Sequence, residues 1–386
     1  VLTPKRAKSS DAPTQEKSSG RKVYFRYTPP CFENERSGRN IGLESASARF
    51  FDPQRQFFFS PPFCRAERSR SGHLVDMAKP SPYRTGHSDM SGKGRAMAKK
   101  SSSGPFLERL YEGYAQSLSP SKILVDETSR FQAIKIFDTP KNGRVMMLDD
   151  IVQITTRDES AYAEMLTHLP LLEHGKAERV MIVGGGDLSI ADEALKHKAV
   201  REVVLVDIDE QVVAHCKKHF GEINAKAAKD KRLKIEIADA FEYLGRPESK
   251  ARFDLIVADR PDPIGPGTAL FGETFYERVK RALRPGGFAT FQTGVPFYQP
   301  SEITDALKEL KRHFPKAGIY LTVVPTYIGG FMALAWAGKG KTLGTPAGIK
   351  AAARRFRTLK LRTDYYNPSM HGAAFALPEW IKRLVK

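Results

Sequence analysis

From about Phe106 onward the chain alternates short apolar runs with turn residues, and the period of the pattern changes partway along. The runs ILVDET, FQAIKIFDT, GRVMMLDD and IVQITT read as short strands, with Asn142-Gly143 a hairpin signal between two of them. A helix is predicted over residues 158–172. Strands and helices then take turns: strand 179–183, helix 188–197, strand 202–207, helix 210–220, strand 233–237, a short helix and strand 253–258. Helix 270–283 ends in RPGG, a breaker that leads into strand 288–292, followed by helix 301–313 and strands near 320–324 and 331–336. This order predicts the α/β class, a Rossmann-like doubly wound sheet preceded by a small β-strand domain.

The pattern also sets expected boundaries. Residues 1–100 are rich in Ser, Arg, Pro and Gly and hold no sustained period, so they read as disordered. Met97 opens MAKKSSSGPFLERLY, which resembles an ordinary protein start and would make the upstream residues an addition to the native chain. Residues 101–175 form the β-rich domain with its connecting helix, 176–340 the Rossmann-like domain, and 341–386 a basic segment packing on it.

Charge changes this picture little. The net +18 divides into +11 over residues 1–100, −1 over 101–340 and +8 over 341–386, so the central body is near neutral. Basic ends of this kind are commonly solvated surface, and no nucleic-acid partner is expected. Cys31, Cys64 and Cys216 have neither pairing nor metal spacing, which suits a reducing cytoplasm. No apolar run approaches the roughly 18 residues of a membrane helix, and no signal-peptide core opens the chain; a cytoplasmic protein without membrane association is expected.

Candidate chemistry gathers where strands end. Strand 253–258 runs into Asp259 and Asp262 within ADRPDPIGP, where Pro261, Pro263 and Pro266 restrict the backbone. Two carboxylates after a buried strand are costly unless something positive binds there, and ligands of open α/β sheets sit at the strands' carboxyl ends. An amine is the expected visitor. Strand 179–183 leads into Gly184-Gly185-Gly186-Asp187, where missing side chains let a nucleoside approach the backbone. Asp207, about 20 residues on, suits ribose hydroxyls, and Asp239 after the next strand suits the adenine amine. Helix capping is the plainer role for both aspartates. Asp187 occupies the spot where a dinucleotide would put its phosphates, and Ser189 replaces the third fingerprint glycine, which disfavours NAD. A sulfonium nucleoside with an amine tail and no carboxylate fits best beside Asp187.

These residues, in this order, resemble the spermidine synthase family of polyamine aminopropyltransferases, whose fold is of the class I methyltransferase type. The blocks that carry the resemblance are FQAI (131–134), LDDIVQITTRDESAYAEMLTHLPLL (148–172), IVGGGD (182–187), VDID (206–209), DPIGP (262–266), PTYIGGFMALAW (325–336) and YYNPSMHGAAFALP (365–378). The last two are especially similar to the proteobacterial branch. The resemblance implies transfer of an aminopropyl group from decarboxylated S-adenosylmethionine, as co-substrate, to putrescine, with no cofactor and no metal. By motif position it implies Asp259 as catalytic base, assisted by Tyr162, and Asp262, Asp187, Gln153 and Tyr327 as amine-pocket residues. Gln132, Gly184, Gly186, Asp207 and Asp239 match nucleoside contacts. A homodimer is implied as well.

Several positions depart from the family pattern. Leu188 and Ser189 follow GGGD in place of small residues, Asp192 stands where arginine is common, and Asp207 replaces a glutamate. Asp150 replaces a glycine, Ala163 a His or Gln, and Ala240 a glycine. Arg260 and Pro261 fall between the loop carboxylates, and strand alternation points Arg260 outward as a surface charge. Pointing inward, it would hold Asp259 ionised. Two other readings stay open: an amine N-methyltransferase using intact S-adenosylmethionine, against which Asp187 argues, and a catalytically impaired polyamine-binding paralogue.

Overall fold

A computed structural model describes residues 104–260 and 265–386, which belong to one compact unit spanning residues 93–386. The readings made for residues 1–100, and the placement of Asp262, lie outside the described residues.

The described residues begin with a hairpin of β1 (Phe106–Tyr111) and β2 (Tyr114–Leu118), which the apolar pattern did not reveal. An antiparallel sheet follows, ordered β3 (Lys122–Thr128), β4 (Ala133–Thr139), β5 (Gly143–Leu148) and β6 (Ile151–Thr155). Asp149 and Asp150 form the two-residue turn between β5 and β6, with φ of 48° and 62°. A hairpin turn of that length needs left-handed backbone, which Asp tolerates better than most residues. Asp150 in place of glycine is therefore a change within the turn.

Helix α1 (Glu159–His174) is buried along most of its length because apolar surface meets it on several sides. Pro170 within it cannot donate to Leu166 O, and Thr290 Oγ1 fills that place at 3.2 Å. The large sheet then unfolds as β7 (Arg179–Gly184), α2 (Ser189–Leu195), β8 (Glu202–Asp207), α3 (Glu210–His219), α4 (Gly221–Asn224), β9 (Leu233–Ile237), α5 (Ala240–Gly245), β10 (Phe253–Asp259) and α6 (Glu273–Ala282). It continues through β11 (Leu283–Gln292), α7 (Pro300–His313), β12 (Lys316–Val323) and β13 (Phe331–Gly338). The segment RPGG does not precede β11; it lies within it, and the pairing with β10 shifts register there.

The sheet order is β12-β13-β11-β10-β7-β8-β9, parallel except that β13 runs antiparallel to both β11 and β12. From β7 the chain builds outward through β8 and β9, then returns to place β10 on the other side of β7. The switch point is thus the crevice between β7 and β10, where Gly184 pairs with Asp259. Alternate residues of these strands feed two cores. Val180, Ile182, Leu255 and Val257 face α1 and α2, whereas Met181, Val183, Ile256 and Ala258 face α5, α6 and α7.

The basic C-terminal segment forms three helices, α8 (Pro346–Leu359), α9 (Pro368–Ala373) and α10 (Glu379–Leu384). Its docking depends on a buried carboxylate: Glu164 on α1 accepts backbone N–H bonds from Asp364 at 2.8 Å, Tyr365 at 3.0 Å and Tyr366 at 2.6 Å. One turn beyond Pro170, Glu173 accepts from Gly344 N and contacts His371 at 2.9 Å. Removing the Glu164 acceptor leaves the buried Tyr366 N–H and two less buried N–H groups without their partner, so Glu164→Ala should lower stability by about 2–4 kcal/mol. Denaturant unfolding would show the loss, and limited proteolysis should cut first between residues 360 and 367; an unchanged midpoint would contradict the role.

Candidate active site

A cavity of about 390 Å³ opens at the switch point, lined by the ends of β7, β8 and β10, the start of α1, and residues of β1, β5 and β6. Two glycines shape it. Gly184 has φ of 75°, and a Cβ there would come 2.2 Å from Asp259 O, so the strands could not sit side by side with a larger residue. A Cβ at Gly186 would lie 2.8 Å from Asp207 Oδ2, inside the space a nucleoside's sugar would need. Leu188, next in the loop, holds a left-handed backbone at φ 67° as the cap of α2. Its side chain is fully buried, and that packing offsets a strain of about 1–2 kcal/mol.

The chemistry centres on Asp259. Tyr162 OH donates to its Oδ1 at 2.6 Å. Burial first, then the negative charges of Asp187 and Asp207, push Asp259 up to about 7, against the lowering effect of the Tyr162 bond. Burial and the Asp259 charge also hold the Tyr162 phenol well above its ordinary range, so it remains a donor. Burial raises Asp187, although Ser189 N donates to its Oδ1 at 2.6 Å and lowers it. Burial likewise pushes Asp207 up to about 6, opposed by the N–H of Asp209, which donates at 2.8 Å. Four acids that the sequence singled out therefore line one cavity: Asp187, Asp207, Asp239 and Asp259.

The remaining expected residues border the same space. Tyr327 OH donates to Gln153 O at 2.6 Å, and its ring meets Tyr162 edge-on at 5.8 Å. Gln132 lines the cavity while its Nε2 donates to Asp209 Oδ2 at 3.1 Å. Asp239 is exposed at the rim and caps α5, its carboxylate accepting Phe241 N at 2.8 Å. Capping also falls to Asp209, which caps α3, whereas Asp207 caps no helix and turns into the cavity.

Arg260 overturns the expectation of a surface charge: it is 2% exposed. Alternation does turn it away from Asp259, but in a doubly wound sheet the opposite face is the second helical layer, not solvent. There the guanidinium lies 3.7 Å from the Phe271 ring centre and 5.6 Å from that of Tyr276. It donates to Gln292 O at 3.3 Å, to Tyr276 OH at 3.2 Å and to Leu270 O. Arg260 is a tie between strand ends and α6, and it is not among the charges that shift Asp259.

Sequence reasoning passed over three acids that build the site. Asp158 joins β6, α1 and the segment carrying Tyr327, accepting Thr155 Oγ1 at 2.6 Å and both Thr326 N and Thr326 Oγ1 at 2.8 Å. Asp209 gathers Ser129 Oγ at 2.6 Å together with Gln132. Glu159 lines the cavity one helical turn before Tyr162. The available signal was spacing: Asp207 and Asp209 share one side of an extended chain, and Glu159 and Tyr162 share one helix face.

Comparison with known proteins identifies the family. Residues 159–344 match the spermine/spermidine synthase domain and residues 106–156 the spermidine synthase tetramerisation domain. A polyamine aminopropyltransferase of Ruegeria sp. (strain TM1040) is 43% identical over 277 residues, covering 72% of this chain and 96% of the relative. One from Shigella sonnei (strain Ss046) is 40% identical, covering 71% of this chain and 94% of the relative. Among solved structures, a spermidine synthase in complex with the transition-state analogue AdoDATO superposes with a TM-score of 0.68 at 32% identity, over 73% of this chain and 94% of that one. Spermidine synthase from Thermotoga maritima superposes at 0.69 and 30% identity, over 75% and 97%. With these family models matched and these relatives spanned almost end to end, the chain belongs to the spermidine synthase family of polyamine aminopropyltransferases.

Proposed function

We propose that the protein transfers the aminopropyl group of decarboxylated S-adenosylmethionine to putrescine, giving spermidine and methylthioadenosine. The observation that carries this reading is the buried Tyr162–Asp259 pair at 2.6 Å, set among further carboxylates in a cavity large enough for two small ligands. The attacking amine has a pKa near that of lysine, about 10, and must lose a proton to attack. Its nitrogen forms a bond to the methylene beside the sulfonium while the C–S bond breaks, and the electron pair stays on sulfur as the neutral thioether. The amine proton passes to the Asp259 carboxylate, which Tyr162 holds in place. Alignment of the two ligands supplies much of the remaining acceleration.

The other residues take roles that follow from their positions. Asp207 receives the ribose hydroxyls, with Gly184 and Gly186 leaving room for the nucleoside and with Gln132 and Asp239 at its edges. Asp187 receives the ammonium of the sulfonium's tail. Gln153 and Tyr327 border the diamine, and Asp262, outside the described residues, is assigned to the amine pocket from its motif alone. The reaction as written needs no cofactor and no metal. No helix among the described residues is long and apolar enough to cross a membrane. A cytoplasmic location and a homodimer are part of the proposal; the match of residues 106–156 to a tetramerisation domain supports an oligomer without specifying a dimer.

Purified protein given decarboxylated S-adenosylmethionine and putrescine should release methylthioadenosine. Absence of turnover with putrescine, cadaverine, diaminopropane and spermidine alike would sink the reading. Asp259→Asn should reduce kcat by about a thousandfold or more, with nucleoside affinity kept within about threefold; Tyr162→Phe should cost about ten- to a hundredfold. Because Asp259 must be ionised to accept the proton, kcat/KM should fall as pH drops through about 7. Asp187 is one of the charges raising Asp259, so in Asp187→Asn that acid limb should move to lower pH.

The same shift has a stability cost. Asp259 is raised from 3.8 to about 7, so its contribution favours the folded state below pH 4 and is lost as pH rises toward 7. The ligand-free Asp259→Asn protein should therefore be more stable than the parent at pH 8, by about 1–3 kcal/mol, and no more stable at pH 4. Thermal unfolding at both values would check this; equal midpoints at pH 8 would contradict the buried charge.

A further inference from the structure

Glu159 lies at the first turn of α1, three residues before Tyr162 and on the same face, and it lines the cavity with Asp187. Its Oε2 is buried and has no hydrogen-bond partner among the described residues. The cation with the most direct influence on it, Lys196, is already engaged by Glu193 Oε1 at 2.5 Å. One turn further along the same face stands Ala163, fully buried and without a polar group of its own. An acid in such a position is costly unless a cation arrives from the cavity.

We infer that Glu159 is the second carboxylate for the ammonium at the end of the sulfonium's aminopropyl tail, acting with Asp187, and so a specificity-determining residue. The inference rests on the function proposed above and deepens it. Reaction occurs at the methylene beside sulfur, next to Asp259, so the tail ammonium sits a propyl length away from that base. Glu159 occupies the Asp187 side: α1 packs against α2, whose first residue, Ser189, follows Asp187 in the loop, and Asp187 is among the charges that raise Glu159. Burial, reinforced by Glu193 and Asp187, pushes Glu159 up to about 8. That shift favours the protonated form in the empty site, and an ammonium placed between Glu159 and Asp187 favours the ionised form instead. Intact S-adenosylmethionine would bring its carboxylate against both acids, so the pair discriminates by attraction to one sulfonium and repulsion of the other.

Calorimetric titration of the full chain with decarboxylated S-adenosylmethionine, S-adenosylmethionine and methylthioadenosine tests this, since the last ligand lacks the tail. Glu159→Gln should bind the decarboxylated sulfonium about tenfold or more weakly, keep methylthioadenosine within about twofold, and narrow the preference over S-adenosylmethionine by about tenfold. Glu159→Asp, which keeps the charge on a shorter arm, should retain more of the tail-dependent affinity than Glu159→Gln. Equal loss for tailed and tailless ligands, or no loss for either, would overturn the assignment. So would a raised KM for the diamine with sulfonium affinity unchanged, because Glu159 would then serve the acceptor. A parent protein that binds neither sulfonium more tightly than methylthioadenosine would defeat the proposed function itself, and this inference with it.

Discussion

Carboxylates held out of water at the ends of adjacent parallel strands are the constraint around which this structure is organised. Asp187 follows β7, Asp207 ends β8 and Asp259 ends β10, and burial raises the pKa of each. Ionised together without a cation they would repel one another across a poorly solvated space. The protein tolerates this in two ways. Backbone N–H groups of Ser189 and Asp209 and the Tyr162 hydroxyl supply local donors. The rest of the cost is met when cationic ligands occupy the cavity. Unfilled, the site is a store of unfavourable electrostatics that selects positively charged visitors.

Holding those acids at fixed separations falls to the scaffold, and α1 is its hub. Its first turn presents Glu159 and Tyr162 to the cavity, and Thr322 Oγ1 and Tyr320 OH bind its carbonyls at Ala161 and Met165 from the sheet side. Its middle and end bind the C-terminal segment through Glu164 and Glu173. That segment and Tyr162 are thus joined through a single helix. Arg260 performs a comparable service beneath Asp259. It joins the end of β10 to Gln292 O on β11 and to Tyr276 on α6, with its charge spread over carbonyls and aromatic faces. A residue that looked capable of disabling the base instead braces the strand that carries it.

Much of this was legible in the chain. Alternating strand and helix periods set the Rossmann-like order, because each period reflects which face meets a core. The glycine loop, Asp207, Asp239 and Asp259 could be located because ligand sites in such sheets fall at strand ends. Less legible were the β1–β2 hairpin, where Leu107 and Tyr114 are exposed and the apolar alternation is weak, and the continuation of β11 through Pro285 and Gly286. Local breakers argue for a loop there, but Gly286 N donates to Lys339 O at 2.7 Å, Lys339 N donates to Gly287 O at 2.9 Å, and pairing with β10 resumes at Phe288.

The sequence by itself determined the order of elements, the acids available for chemistry and the glycines that keep the crevice open. These are local properties, set by side-chain type and spacing. Tertiary structure decided which acids share a cavity and in what ionisation state, since burial and neighbouring charge depend on residues distant in the chain, as Tyr162 and Asp259 show. It also decided that the side of β10 facing away from Asp259 is a second core, which turned Arg260 from an expected surface charge into a buried brace. Strand alternation specifies opposite faces, but only the packed layers determine whether the far face meets water or another helix.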